Sequence, residues 1–194
     1  MMSTPPDSIL LLGGVRSGKS SLACQIAAAA PGPVTVLASG IASDPEMAAR
    51  IAAHRSVRPR TWNVVEEPMH PVRALSRIRD NVLLWDSVDS WVGNVMHQAG
   101  SFDQDGATVQ TATLSAKLAR EVEEVCRRCE DRRLQLIAVS SETGMAPIGA
   151  TRATRQFVDL LGSVNQLMAA KVDAVYLVVA GRVCPLGTGV GWHG

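Results

Sequence analysis

The sequence predicts an α/β domain, a largely parallel sheet covered by helices on both faces with its ligand at the carboxyl ends of the strands. Two observations carry that expectation. Short apolar runs alternate with helical patterns along nearly the whole chain, and the first run, Ile9 to Leu12, ends in Gly13-Gly14-Val15-Arg16-Ser17-Gly18-Lys19-Ser20 before passing into the helix-forming Ser21 to Ala27. A Gly-x-x-x-x-Gly-Lys-Ser stretch between a strand and a helix is a P-loop: its glycines let backbone N–H groups close round phosphate oxygens, and the new helix turns its positive end toward them. In that reading Lys19 reaches the β/γ-phosphates and Ser20 holds Mg²⁺.

The chain has 194 residues, which suits one domain with a full core (1–194), and 1–7 and 182–194 are expected to be poorly ordered. A hydrophobic content of 46% with 19% charged residues is ordinary for an α/β protein, and a net charge of +1 gives no reason to expect nucleic acid or an anionic membrane as a partner. The amino terminus lacks a basic region and the apolar run after it is only a strand long, so neither a signal peptide nor a transmembrane helix is read there, and a cytoplasmic protein is expected.

After the first helix, which stops at Pro31-Gly32-Pro33, Val34 to Ala38 reads as a second buried strand ending in Ser39-Gly40. Ser43-Asp44-Pro45-Glu46 then starts a helix, with Ser43 or Asp44 as N-cap, that runs through Met47, Arg50, Ile51 and His54. Positions 50 and 54 share a face, so His54 projects from the last turn beside Arg50. A basic exit, Arg55 to Arg60, leads to a strand over 61–66 and a short helix over 71–79. Val82 to Asp86 is a nearly continuous apolar strand ending in a carboxylate, where a P-loop protein needs a Mg²⁺-organising group. Capping the helix that begins at Ser87 is the other reading of Asp86, and it is compatible with the first.

That helix reaches about Met96, a polar loop covers 100–106, and the longest helical segment covers 108–131 with Leu114, Leu118, Val122 and Val125 as its apolar stripe. Cys126 and Cys129 have metal-pair spacing but no second pair or nearby histidine, so they read as helix residues. A strand over 134–139, a loop over 140–149, a helix over 151–170 and a last strand over 174–180 follow, and an antiparallel edge strand is compatible with the pattern.

With Asp44-Pro45-Glu46-Met47, Arg50 to Arg55, Arg58-Pro59, Leu83 to Asp86 followed by Asn94, Ser141 to Met145, and Gly162 to Gln166 before Val175 to Gly181, the chain resembles the bifunctional adenosylcobinamide kinase / adenosylcobinamide-phosphate guanylyltransferase family of cobalamin biosynthesis. The resemblance implies a RecA-like P-loop domain that uses ATP or GTP to phosphorylate the aminopropanol hydroxyl of adenosylcobinamide. It further implies that GTP then guanylylates an enzyme histidine, from which GMP passes to the phosphate of adenosylcobinamide. His54 takes that role as the only histidine in the helix concerned, with Lys19 and Arg16 on phosphates. The family's nucleotide site falls on Gly13, Gly14, Val15, Arg16, Ser17, Gly18, Lys19 and Ser20, on Ala38, Ser39 and Gly40, on Arg55, Ser56, Val57 and Arg58, and on Glu66 and Asp86, with Ser20 and Asp86 on the metal. Compact trimers in the family imply a homo-oligomer.

Read from its chemistry alone, His54 is either a nucleophile or a solvent-facing helix residue. Arg50, Arg55 and Arg58 would disfavour its imidazolium form and neutralise a triphosphate at once. The chain departs from the family at Ser141, where asparagine is usual, at Gly149-Ala150-Thr151 in place of Pro-Glu-Asn, and at Val158 in place of arginine. These positions are expected to lie away from the P-loop and the histidine helix, bearing on the corrinoid pocket or the kinase half-reaction. A small-molecule kinase without guanylyl transfer and a GTP-responsive binding protein are the other readings.

Overall fold

The apolar runs pair in parallel, and their order decides where a ligand can sit. The computed structural model describes residues 6–100, 111–147 and 149–187. Its strands are β1 (Ser8–Gly13), β2 (Val34–Ala38), β3 (Asn63–Glu66), β4 (Val82–Asp86), β5 (Gln135–Ser141), β6 (Ala174–Val179) and β7 (Arg182–Leu186), joined in one sheet in the order β3-β2-β4-β5-β1-β6-β7. All pairs are parallel except β6 with β7. The helices are α1 (Lys19–Ala29), α2 (Pro45–Ser56), α3 (Pro71–Ala74, extended by a 3-10 turn over Leu75–Arg77), α4 (Val88–Gln98), α5 (Thr111–Asp131) and α6 (Arg152–Ala169). This is the α/β P-loop architecture expected from the sequence. The start of the long helix at 108–110 and the polar loop at 101–106 lie outside the described residues.

Strands buried on both faces read as continuous apolar runs because successive side chains alternate between two cores. On β1, Ile9 and Leu11 join Ala23 and Ala27 of α1, whereas Leu10 and Leu12 join the core beneath α4, α5 and α6. The same alternation divides Val82 and Leu84 from Leu83 and Trp85 on β4, and Ile137 and Val139 from Leu136 and Ala138 on β5. Alanines at positions 23 and 27 of α1 are fully buried, their small side chains letting the helix that carries Lys19 lie close on the sheet.

Register brings distant residues to one edge. Gly13 at the end of β1 lies beside Ser141 of β5, Asp86 of β4 lies beside Val139, and Ala38 of β2 lies beside Asp86. The loops after β1, β2, β4 and β5 therefore open onto the same place, as the α/β architecture requires.

Residues 182–186, read from the sequence as part of a poorly ordered tail, form the antiparallel strand β7. Ala180 (φ 49°) and Gly181 (φ 74°) make a two-residue turn with both residues left-handed, the geometry that suits a tight hairpin. Ala-Gly is a weaker turn signal than Asn-Gly, and the glycine-rich tail obscured it. Pro185 sits on the sheet edge, where a missing N–H is tolerated. The hairpin also supports the P-loop, since the Gly181 N–H donates to the Ser17 carbonyl at 2.8 Å.

Candidate active site

The P-loop forms as its residue types require. A Cβ on Gly13 would stand 2.5 Å from the Val178 carbonyl oxygen and 2.7 Å from Ser17 Oγ, so only glycine fits between β1 and β6. Gly18, at φ 98°, is the N-cap of α1, in the left-handed conformation that glycine adopts without strain. Arg16 is left-handed too, at φ 58°. The Ser17 N–H donates to the Gly14 carbonyl at 3.2 Å, and Lys19 Nζ, largely buried, donates to the same oxygen at 3.1 Å. Val15 is exposed at the loop's tip, while Ser17 Oγ is buried with no partner among the described residues. The result is a short concave run of backbone that opens the helix carrying Lys19 and Ser20.

Facing it is a wall built from α2 and the ends of β3 and β4. Asp44 starts α2, its Oδ1 accepting the Met47 N–H at 2.8 Å, with Pro45 in the first turn and Glu46 beside the positive end of the dipole. Ten residues on, His54 Nδ1 lies 3.5 Å from Asp86 Oδ2, and Arg58 donates through Nη2 to the same oxygen at 2.5 Å. The Arg58 and Asp86 side chains are each only 8% exposed, against 36% for His54. Burial pushes the Asp86 carboxyl up, but the His54 hydrogen bond and the Arg58 guanidinium outweigh it and hold the group below the usual carboxylate range. Arg58 Nε is buried without a partner among the described residues. At the rim, Arg55 donates to Glu66 Oε1 at 2.6 Å with both side chains mostly exposed.

The arginines expected to disfavour the imidazolium form of His54 do not stand unpaired beside it. Arg55 and Arg58 each hold a carboxylate supplied by another strand, and the group facing the histidine is an anion. The side chain of Arg50 lies outside the described residues. Asp86 is not a helix cap, since Ser87 occupies the N-cap of α4. Three of the residues expected at the nucleotide turn elsewhere. The buried Ser39 Oγ accepts from Trp85 Nε1 at 3.0 Å, Ser56 Oγ donates to the Ala53 carbonyl at 2.9 Å, and Val57 stands exposed past the end of α2. Ser39 serves the loop it sits in, which is held also by Asn94, whose Nδ2 donates to the Ser39 carbonyl at 2.7 Å and the Pro68 carbonyl at 3.2 Å.

Between the two walls lies a cavity of about 260 Å³ that gathers Lys19, Ser20, Ala38, Gly40, His54, Arg55, Arg58, Glu66 and Asp86. The structure adds residues that sequence reasoning passed over: Met47 and Ile51 of α2, Asp89, Ser90 and Gly93 of α4, and Phe157 of α6. A carboxylate in the first turn of the helix after Asp86 was a visible signal, but its direction was not. Asp89 Oδ2 accepts from Ser141 Oγ at 2.5 Å, and Asp89 Oδ1 is buried with no partner among the described residues. Ser141 is thus not remote from the P-loop, as expected, but beside its first glycine. Asn165 of α6 secures that region, accepting from Ser140 Oγ at 2.6 Å and donating to the Ser141 carbonyl at 3.0 Å. Cys126 and Cys129 sit on α5, their thiols pushed up by burial to about 11 and about 12.

The model of the cobinamide kinase / cobinamide phosphate guanyltransferase family matches residues 9–186. The chain is 32% identical over 175 residues to the bifunctional adenosylcobalamin biosynthesis protein CobU of Salmonella typhimurium, spanning 89% of this chain and 96% of that one. The Escherichia coli protein of the same description is 33% identical over equal shares. The bifunctional adenosylcobalamin biosynthesis protein CobP of Pseudomonas aeruginosa is 32% identical over 91% of this chain and 95% of that one.

Proposed function

Because this chain belongs to the cobinamide kinase / cobinamide phosphate guanyltransferase family, we propose that the cavity between the P-loop and α2 serves two transfers in turn. In the first, the terminal phosphoryl group of ATP or GTP passes to the aminopropanol hydroxyl of adenosylcobinamide. In the second, His54 attacks the α-phosphorus of GTP, pyrophosphate leaves, and the phosphate of adenosylcobinamide phosphate takes GMP from the histidine to give adenosylcobinamide-GDP. The observation that carries this reading is the placement of His54 and the P-loop lysine on the same cavity, a separation of functions along one triphosphate.

The Asp86 contact prepares the nucleophile. A lone pair on Nδ1 facing a carboxylate oxygen would be repelled, so the Nδ1 position carries the proton and Nε2 keeps the lone pair that bonds to phosphorus. Asp86 also steadies the imidazole as positive charge develops on it. Arg58 and Lys19 face negative charge from the phosphates, and Arg16 stands on the P-loop to reach them. Ser20 and Asp86 fit a Mg²⁺ that enters with the nucleotide: both line the cavity, and the bonds from Arg58 and His54 go to Oδ2, leaving Asp86 Oδ1 for the ion or its water. Such an ion would neutralise charge on the phosphate oxygens. The reading places the enzyme in the cytoplasm as a homo-oligomer, a trimer, whose mass light scattering after size exclusion would measure.

Incubation with GTP labelled in the α-phosphate is expected to leave acid-labile, base-stable GMP on the protein, and adenosylcobinamide phosphate added afterwards should remove it. In His54→Ala the label should fall by at least about a thousandfold. Equal labelling of His54→Ala and wild type overturns the assignment. Transfer of the γ-phosphate with no covalent nucleotide at all would leave a kinase only.

A further inference from the structure

The two half-reactions place different demands on the cavity. An imidazole with a free Nε2 lone pair attacks phosphorus without losing a proton first, whereas an alcohol must give up its proton as its oxygen bonds to phosphorus. Of the groups assigned above, His54 keeps its Nε2 lone pair for the second transfer and Glu66 is held at the rim by Arg55. Asp86 is tied through Oδ2 to both Arg58 and His54, and its Oδ1 is the oxygen assigned above to Mg²⁺, which leaves it none for the alcohol.

Asp89 is furnished in the opposite way. It is the second residue of α4, lines the cavity with Lys19 and Ser20, and receives one hydrogen bond from a neutral hydroxyl, Ser141 Oγ, on Oδ2. Ser141 lies in register with Gly13, so the contact holds Asp89 toward the side of the cavity where the P-loop begins. Its other oxygen, Oδ1, is buried and unpaired among the described residues. An acidic residue in the first turn complements the helix dipole, but that explains only the charge. A buried carboxylate oxygen without a donor is costly and calls for a role. One helical turn further on, on the same face, Gly93 lines the same cavity together with Phe157 of α6, whose ring stands 3.8 Å from where a Cβ would be.

Resting on the kinase reading above, we propose that Asp89 is the catalytic base of the phosphoryl transfer, its Oδ1 accepting the hydrogen bond and then the proton of the acceptor alcohol. The alcohol oxygen bonds to the γ-phosphorus, the bridging bond from that phosphorus to the β-phosphate oxygen breaks, the nucleoside diphosphate leaves, and the proton resides on Asp89. The departure at Ser141 acquires a meaning here, since a hydroxyl at that position orients the base.

Transfer of labelled γ-phosphate to adenosylcobinamide and labelling of His54 by GTP, measured side by side on wild type, Asp89→Asn and Ser141→Ala, test the assignment. Asparagine keeps a carbonyl oxygen for Ser141 and the same shape, so the fold is retained. The kinase kcat of Asp89→Asn should fall about 100-fold or more, the effect of removing a general base. Its nucleotide KM should stay within about twofold, and guanylylation of His54 should persist. Ser141→Ala, which leaves the carboxylate but frees it, should lower the kinase kcat about 5- to 10-fold, a loss of the order of one hydrogen bond. A kinase kcat in Asp89→Asn within about threefold of wild type overturns the proposal, as does an equal fall in both activities, which would make Asp89 a nucleotide ligand or a support. Absence of phosphoryl transfer in wild type overturns the kinase reading and, with it, this one.

Discussion

Asp86 and Asp89 stand three residues apart across the β4–α4 junction and line one cavity, yet their surroundings are opposite. Asp86 meets an arginine and a histidine from the α2 side through one oxygen, and its other oxygen is the one proposed for Mg²⁺. Asp89 has a neutral partner from β5 and an oxygen left over. The same side chain is therefore a fixed counter-charge in one place and an available acceptor in the other. Partner supply, not residue type or position along the chain, assigns the role.

Breaking the first carboxylate separates the two most sharply. Asp86→Ala leaves Arg58 charged, buried and unpaired, and should destabilise the protein by about 3–5 kcal/mol in urea unfolding. Asp89→Asn, which keeps the Ser141 contact and removes an unpaired acceptor charge, should change stability by no more than about 1 kcal/mol. Equal losses would show that the two sites are furnished alike after all.

The contrast also has a pH signature. The Asp86 carboxyl is held lower in the folded state than in the unfolded chain, where a free aspartate titrates near about 3.9. Its contribution is therefore fully present above that value and is lost as pH falls through the lower folded-state one. Unfolding midpoints measured from pH 6 down to about 3 should fall more steeply for wild type than for Asp86→Asn. A parallel pair of curves would contradict the Asp86 assignment.

The smallest effect belongs to the exposed rim. Arg55 and Glu66 form a short contact but remain 58% and 65% exposed, so Arg55→Ala should cost less than about 1 kcal/mol. A loss as large as that of Asp86→Ala would mean that the rim pair supports the wall instead of decorating it.

The fold was legible wherever a local rule set the backbone. The P-loop, the capped start of α2 at Asp44 and the two-sided burial of β1, β4 and β5 follow from glycine conformation, capping chemistry and side-chain alternation, each of which acts within a few residues. The β6–β7 hairpin was missed because its turn uses Ala180 and Gly181, a pair that resembles an ordinary glycine-rich tail until the strands are seen to pair. Ser39 was placed on the nucleotide by the family resemblance, whereas the buried Trp85 indole needs a hydrogen-bond acceptor and takes its hydroxyl.

What the sequence determined by itself is therefore a phosphate-binding loop, a histidine near the end of the second helix and an acid at the end of an apolar strand, since each depends on its own segment. The tertiary structure alone decided which charges meet. Placing β5 between β4 and β1 sets Ser141 beside Gly13 and within reach of Asp89, 52 residues away in sequence. Pairing β2 with β4 brings the end of α2 over Asp86, so that Arg58 and His54 converge on one carboxylate oxygen. Strand order is a property of the packed sheet, stabilised by burial of both its faces at once, and no single segment contains it.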